Sequence, residues 1–279
     1  MSVPTTGRRA TPDAAELERA VYRDGIAGMP GAFDPAWADR LREDFEALFA
    51  EARTRPDGTV GRGPDRYYFA VPPERIRGFV DLVTHPGITA LCERMLGSDW
   101  TVAEVGFDVP LPGAQDQPWH RDFPTPPATR DQGVLTSLAF NVTTVAVTPE
   151  MGPLEVAPGT HWDDGAEFEH GMFPPPERAA RYAQLGQQRM PALGDASVRT
   201  GLTLHRGTAN RSATARPVLI LGAVAAAVDT AGAHDLMLTR AYAAVLPPGV
   251  LEHLRCTHLV DELVPLPQRH DIEGLKMGG

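Results

Sequence analysis

The feature that most constrains the fold is a series of short β-prone segments between residues 100 and 246. Each is rich in Val, Leu, Ala, Thr or Phe, and clusters of Pro, Gly and Asp separate them. They span residues 101–109, 134–147, 153–157, 197–204, 218–228 and 236–245. Short strands with turn signals between them are typical of a β-sandwich or barrel, and no helices alternate with them as βαβ units require. The sequence therefore predicts a mainly β core at residues 100–246.

The first hundred residues contain three helix signals. One helix is predicted at residues 13–23, and another at residues 86–96, ending at Gly97. Between them, Asp34 followed by Pro35 predicts a helix start, because a capping carboxylate precedes proline at the first helical position. Residues 53–77 are rich in Gly, Pro, Arg and Tyr and have no clear period. They are predicted to form either a plain surface loop or a lid over a site.

The length of 279 residues suits one β domain with flanking helices. We expect residues 1–12 to be disordered and residues 13–99 to form the helical part with the lid loop. Residues 247–279 are expected to be a C-terminal extension with a short helix at 250–254.

Composition excludes several classes of function. The net charge is −10 with no basic stripe, which disfavours nucleic acid and anionic membranes as partners. The most apolar run, residues 218–228, is too short to span a bilayer, and the N-terminus resembles no signal peptide. Two cysteines, Cys92 and Cys256, suit a reducing compartment. We predict a cytoplasmic protein with a small-molecule substrate, and the sequence leaves its oligomeric state open.

Three side chains have the chemistry of a metal site. In an extended segment, His120 and Asp122 are two residues apart and point to the same side. His205 follows an alternating β-like run, which we expect it to end. Two histidines and one carboxylate form the facial triad of non-haem Fe(II) oxygenases, whereas a structural zinc site requires a fourth protein ligand.

Arg216, eleven residues after His205, suggests a co-substrate. If a turn joins two strands between these residues, the guanidinium returns to the metal pocket. Its planar fork binds carboxylates bidentately, which suits the far end of a dicarboxylate. Alternatively, Arg216 is a surface residue before Pro217.

Several stretches resemble the phytanoyl-CoA dioxygenase family. They are Trp-His-Arg-Asp at 119–122, Thr-Pro-Glu-Met-Gly-Pro-Leu-Glu-Val-Ala-Pro-Gly-Thr-His at 148–161, and the segment from His205 to Arg216 with its Asn at 210. The order and spacing of these motifs also match. The resemblance implies a double-stranded β-helix, a jelly roll of two antiparallel sheets. It implies Fe(II) bound by His120, Asp122 and His205, with 2-oxoglutarate and O2 as co-substrates.

The resemblance also suggests contacts for the co-substrate. Arg216 would hold the distal carboxylate of 2-oxoglutarate. Asn141 lies where the family often has Trp facing the co-substrate. Gly207 replaces a common hydroxyl residue, so one hydrogen bond to the co-substrate is either missing or supplied by Thr208.

Reaction type and substrate are less constrained. Related halogenases have a small residue at the carboxylate position, so the presence of Asp122 favours hydroxylation or another oxidation over halogenation, and the sequence does not decide between hydroxylation, desaturation, epoxidation and ring closure. Candidate substrate contacts, for an anionic or aromatic compound such as a bacterial secondary metabolite, are Arg62, Arg66, Tyr67, Tyr68 and Phe123. The rival interpretations are a non-catalytic metal-binding jelly roll and a metal enzyme that does not use 2-oxoglutarate.

Overall fold

The computed structural model describes residues 12–228, 236–254 and 258–268. Of the predicted disordered lead-in at residues 1–12, only Pro12 is described. Cys256 and parts of the predicted C-terminal extension also lie outside the described residues. The α-helices are α1 (Ala14–Asp24), α2 (Pro35–Ala52), α3 (Phe79–Val83), α4 (Pro86–Leu96), α5 (Pro127–Gln132), α6 (Pro176–Leu185), α7 (Arg240–Val245) and α8 (Pro248–Leu251). The strands are β1 (Ile26–Met29), β2 (Val60–Gly61), β3 (Arg66–Ala70), β4 (Thr101–Pro110), β5 (Ser137–Thr143), β6 (Leu154–Val156), β7 (Gln187–Arg189), β8 (Ala196–Arg199), β9 (His205–Gly207), β10 (Val218–Val224), β11 (Met237–Thr239) and β12 (His258–Val260).

Two antiparallel sheets form the body of the protein. The large sheet has seven strands in the order β1-β8-β5-β10-β4-β3-β2, and the small sheet has three in the order β7-β6-β9. A parallel pair, β11 and β12, lies apart from both. The fold is the predicted jelly roll, mainly β with flanking helices.

Strand β10 shows how the large sheet separates two environments. Leu219, Leu221 and Ala223 belong to the main apolar core, which they share with residues of α1, α2 and α4. Val218 and Ile220, which alternate with them, line a cavity on the opposite face. Because successive side chains of a strand point to opposite faces, the helices cover one face and the other is left for a site.

The predicted helices at residues 13–23, 35 onward and 86–96 are confirmed within one residue of their expected bounds. The Asp13 and Asp34 carboxylates each accept a hydrogen bond of 2.8 Å from the backbone N–H three residues later. Gly25 then ends α1 in a left-handed conformation. None of the helices in the described part of the chain has the length and apolar character needed to cross a bilayer.

The prediction of an irregular loop at residues 53–77 is wrong for its second half. Strand β3 pairs antiparallel with β4 along its whole length and extends the large sheet. The Tyr68 hydroxyl donates a 2.7 Å hydrogen bond to Glu104 on β4. The segment becomes a strand because it pairs with the edge of β4, which lies far away in the sequence, so the residues of the segment alone do not show it.

Three other predicted elements differ in extent. Strand β8 stops at Arg199, residues 200–204 turn, and His205 begins β9 instead of ending the previous strand. Residues 236–245 divide into β11 and α7, since the Thr239 hydroxyl accepts from the Tyr242 N–H at 3.1 Å and caps an alanine-rich helix. The helix predicted at residues 250–254 is a single turn at Pro248–Leu251.

Candidate metal centre

His120 and His205 are paired across an antiparallel bridge. The His120 N–H donates to the His205 carbonyl at 3.0 Å, and the His205 N–H donates back at 2.9 Å. Side chains of directly opposed residues lie on the same side of the pair. The two imidazole centroids are accordingly 4.4 Å apart.

Backbone carbonyls determine which nitrogen of each ring is available. Nδ1 of His120 lies 2.8 Å from the Pro118 carbonyl, and Nδ1 of His205 lies 2.9 Å from that of Thr203. A carbonyl only accepts, so Nδ1 carries the proton and Nε2 keeps its lone pair. Burial lowers the pKa of His120 to about 4, and burial together with the charge of Arg199 lowers the pKa of His205. Both rings are therefore neutral, as metal ligands must be.

Asp122 supplies the third ligand atom. Its backbone N–H donates to the Gly201 carbonyl at 2.8 Å, and its Oδ1 lies 3.4 Å from His205 Nε2. Burial by itself would raise the pKa of this carboxyl, but the charge and hydrogen bonds of Arg199 outweigh it and hold the pKa below its ordinary value. The carboxylate is therefore ionised.

The ligand atoms of His120, Asp122 and His205 all lie within 4.8 Å of one another. Among the described residues, no fourth His, Cys, Asp or Glu joins this group. Two neutral imidazoles and one carboxylate, with the rest of the coordination sphere open, fit Fe(II) better than structural zinc.

The three ligands lie in the wall of a cavity of about 780 Å³ between the two sheets. A cavity of this size accommodates a drug-sized molecule. Its lining includes the triad, the apolar residues Ile26, Ala27, Met29, Val147, Leu154, Val218 and Ile220, and the polar residues Gln117, Asn141, Thr143 and Ser197.

Arg216 reaches the same cavity from the turn before β10, as the predicted turn geometry requires. Its Nε donates to the Gly152 carbonyl at 2.9 Å, and its Nη2 lies 3.8 Å from Asp108 Oδ2. Burial lowers its pKa to about 10, so the guanidinium remains charged at neutral pH. Because the Gly152 carbonyl engages only Nε, the two Nη groups of Arg216 have N–H donors of the kind that bind a carboxylate bidentately.

The pattern typical of phytanoyl-CoA dioxygenase (PhyH) matches residues 21–218. The chain belongs to the phytanoyl-CoA dioxygenase family. The predicted family, and with it the dioxygenase class, is confirmed.

Solved structures support the fold of this phytanoyl-CoA dioxygenase family member. SnoK, a non-haem α-ketoglutarate-dependent carbocyclase from nogalamycin biosynthesis, superposes with a TM-score of 0.63 at 19% identity, over 78% of this chain and 88% of SnoK. EctD from S. alaskensis, with 2-oxoglutarate and 5-hydroxyectoine, gives 0.61 at 18% identity, over 80% and 79%. AviO1 from Streptomyces viridochromogenes Tue57 gives 0.58 at 20% identity, over 79% and 99%.

Of the other predicted contacts in this family member, Asn141, Arg62 and Arg66 line the cavity. The buried Asn141 Oδ1 has no hydrogen-bond partner among the described residues. The guanidinium of Arg62 lies 4.3 Å from the centroid of the Tyr68 ring. Arg66 donates to Asp108 Oδ2 and to the Thr208 carbonyl, each at 3.0 Å.

Four predicted residues are absent from the cavity lining. The Thr208 hydroxyl donates to the Pro153 carbonyl at 2.7 Å, and Tyr68 is held by Glu104. Tyr67 alternates with Arg66 on β3 and packs against Phe49. Phe123 lies over Gly201, where an added Cβ would be 2.5 Å from its ring.

Sequence reasoning missed Arg199, which lines the cavity and binds Asp122. A signal was available: Ser197 and Arg199 are polar residues that alternate with the apolar Ala196 and Val198. On a strand, they share one face.

Proposed function

We propose that this protein is an Fe(II)- and 2-oxoglutarate-dependent dioxygenase that hydroxylates an unactivated C–H bond of a small organic substrate. One observation carries the proposal: a centre with three protein ligands and open coordination positions shares one cavity with a buried arginine. Membership of a dioxygenase family supports it. SnoK, which is α-ketoglutarate-dependent, and EctD, whose structure contains 2-oxoglutarate, agree with it.

The protein would hold iron through Nε2 of His120, Nε2 of His205 and Oδ1 of Asp122. Fe(II) with 2-oxoglutarate supplies the oxidising chemistry, in which O2 and 2-oxoglutarate give succinate, CO2 and an oxidised substrate. The chain contributes orientation: two backbone carbonyls fix the rings, and burial keeps them neutral, with the lone pair on Nε2.

Arg216 would bind the distal carboxylate of 2-oxoglutarate through its two Nη groups, since Gly152 holds its Nε. The Asn141 amide, whose oxygen lacks a protein partner among the described residues, would make a second polar contact. Thr208 would act only indirectly, through its carbonyl, which fixes Arg66 beside Asp108.

The charge of the lining indicates what kind of substrate fits. Five arginines and three aspartates line the cavity: Arg62, Arg66, Arg189, Arg199, Arg216, Asp108, Asp122 and Asp195. Binding of Fe(II) and of the 2-oxoglutarate dianion would not change this positive excess, because their charges of +2 and −2 cancel. A substrate with an apolar body and one anionic group would complement it. Arg62 lines the cavity near the metal site, since its charge contributes to lowering the pKa of His120. It would bind the anionic group of the substrate there.

Asp122 occupies the position that a halide would need, which favours an oxidation over halogenation, and hydroxylation is the oxidation that we propose. SnoK is a carbocyclase and a further neighbour, SnoN from the same biosynthesis, is an epimerase at 22% identity. The origin of both in nogalamycin biosynthesis makes a secondary metabolite a reasonable substrate to test.

The test is succinate release from 2-oxoglutarate by the purified protein, with Fe(II), O2 and a panel of apolar acids. Release that requires both iron and O2, together with a product heavier by one oxygen, is expected. A product lighter than the substrate by two hydrogens would show that the reaction is ring closure or desaturation and not hydroxylation. No release with any acid, despite intact metal binding, would favour a non-catalytic metal-binding jelly roll.

A further inference from the structure

Asp122 has a second partner besides the prospective metal. Arg199, at the end of β8, donates from Nη1 to Asp122 Oδ2, and its Nη2 lies 3.4 Å from Oδ1. Arg199 is buried, and the pairing of β8 with both β1 and β5 holds its backbone. This contact therefore belongs to the rigid large sheet, while the histidine ligands belong to the side of the small sheet.

The two oxygens of Asp122 have different surroundings. Oδ1 faces the ligand nitrogen of His205 at 3.4 Å, a separation that suits two neighbouring ligands of one metal ion. Oδ2 accepts the shorter hydrogen bond from Arg199, whose Nη2 donates a longer one, of 3.4 Å, to Oδ1. The carboxylate is thus oriented with one oxygen toward the metal position and the other toward a fixed cation.

We propose that Arg199 is a positioning residue that restricts Asp122 to binding the metal through one oxygen. This inference rests on the proposed function. A carboxylate can bind a cation through one oxygen or both. With six positions on Fe(II), a second Asp122 oxygen would leave two sites, too few for a chelating 2-oxoglutarate and O2 together. Arg199 keeps three sites open by engaging Oδ2.

Arg199 should have opposite effects on the binding of the metal and of the co-substrate. Arg199 opposes metal binding by its charge but favours co-substrate binding by keeping a site open. Removing it should therefore affect the two ligands in opposite directions. Loss of a merely structural contact would weaken both.

The experiment uses the full chain with Co(II), which is stable in air, as the metal probe. The variants are Arg199→Met, of similar length but uncharged, and Arg199→Lys, which keeps the charge but donates from one nitrogen instead of a planar fork. Visible absorption follows Co(II) titration and then 2-oxoglutarate titration of the Co(II) protein. The control is Arg206→Ala, next to His205 but ion-paired with Glu155 at 2.6 Å and absent from the cavity lining.

In Arg199→Met we expect Co(II) to bind at least as tightly as in the wild type, because a cation beside the site is lost, whereas 2-oxoglutarate affinity falls about 10-fold or more, which is at least about 1.4 kcal/mol. Arg199→Lys should recover part of this loss, and Arg206→Ala should match the wild type. Equal weakening of Co(II) and 2-oxoglutarate binding in Arg199→Met, or no change in either, would overturn the inference. Failure of the wild-type Co(II) protein to bind 2-oxoglutarate would instead overturn the proposed function.

Discussion

Replacing Arg216 with alanine separates a 2-oxoglutarate enzyme from a generic metal-binding jelly roll. The guanidinium is buried, charged and held through Nε by the Gly152 carbonyl. Its removal does not leave Asp108 unpaired, since Arg66 still donates to that carboxylate at 3.0 Å. The variant should therefore fold.

The expected effect on the co-substrate is large. Truncating one partner of a buried, hydrogen-bonded charge pair costs about 2–5 kcal/mol. That range corresponds to about a 30- to 3,000-fold loss of affinity. Metal affinity should change little, because Arg216 is not one of the three candidate metal ligands.

The assay is the apparent KM for 2-oxoglutarate in succinate release, with Co(II) affinity measured in parallel. Arg216→Lys should recover only part of the loss, since an ammonium does not reproduce the fork. Arg211→Ala is the matched control, because Arg211 is exposed in the same turn. An unchanged KM in Arg216→Ala would refute the co-substrate assignment even if the metal site remained intact.

Three further predictions concern the metal ligands and the cavity wall. Alanine at His120, Asp122 or His205 should each abolish tight Co(II) binding, because the described residues provide no fourth ligand; near-wild-type titrations for two of the three would refute the triad. Gly207→Ala should lower the free energy of unfolding by about 1–3 kcal/mol in denaturant titrations, since its Cβ would lie 2.2 Å from a buried arginine nitrogen; an unchanged midpoint would show that this nitrogen moves freely. Between pH 6.5 and about 4, the metal-free unfolded chain protonates His120 and the folded chain does not. Stability should therefore be full above pH 6.5 and fall by about 3 kcal/mol toward pH 4. Denaturation of the wild type and of His120→Ala over this pH range checks it, and a fall no larger in the wild type than in the variant would contradict the reasoning.

The sequence alone determined the elements whose signals are local. Asp13, and Asp34 with Pro35, predict helix starts because a side-chain cap needs only the next three residues. The metal triad was also predictable, because His120 and Asp122 lie two apart in an extended segment, and His205, within a motif that resembles the family's, completes two histidines and one carboxylate. Arg216 was expected in the cavity from its distance to His205, although His205 begins a strand instead of ending one.

Tertiary structure alone decided which side chains face the cavity. Strand β3 forms because β4 offers an edge, and that pairing turns Arg66 toward the cavity and leaves Tyr67 against Phe49. Arg199 meets Asp122 only because β8, in the large sheet, lies opposite the segment that carries the ligands. Such contacts join residues 77 positions apart in the chain, and no local pattern records them. Capping and alternation are short-range effects that a sequence shows directly, whereas the partners of a charged side chain depend on how strands pair and sheets pack.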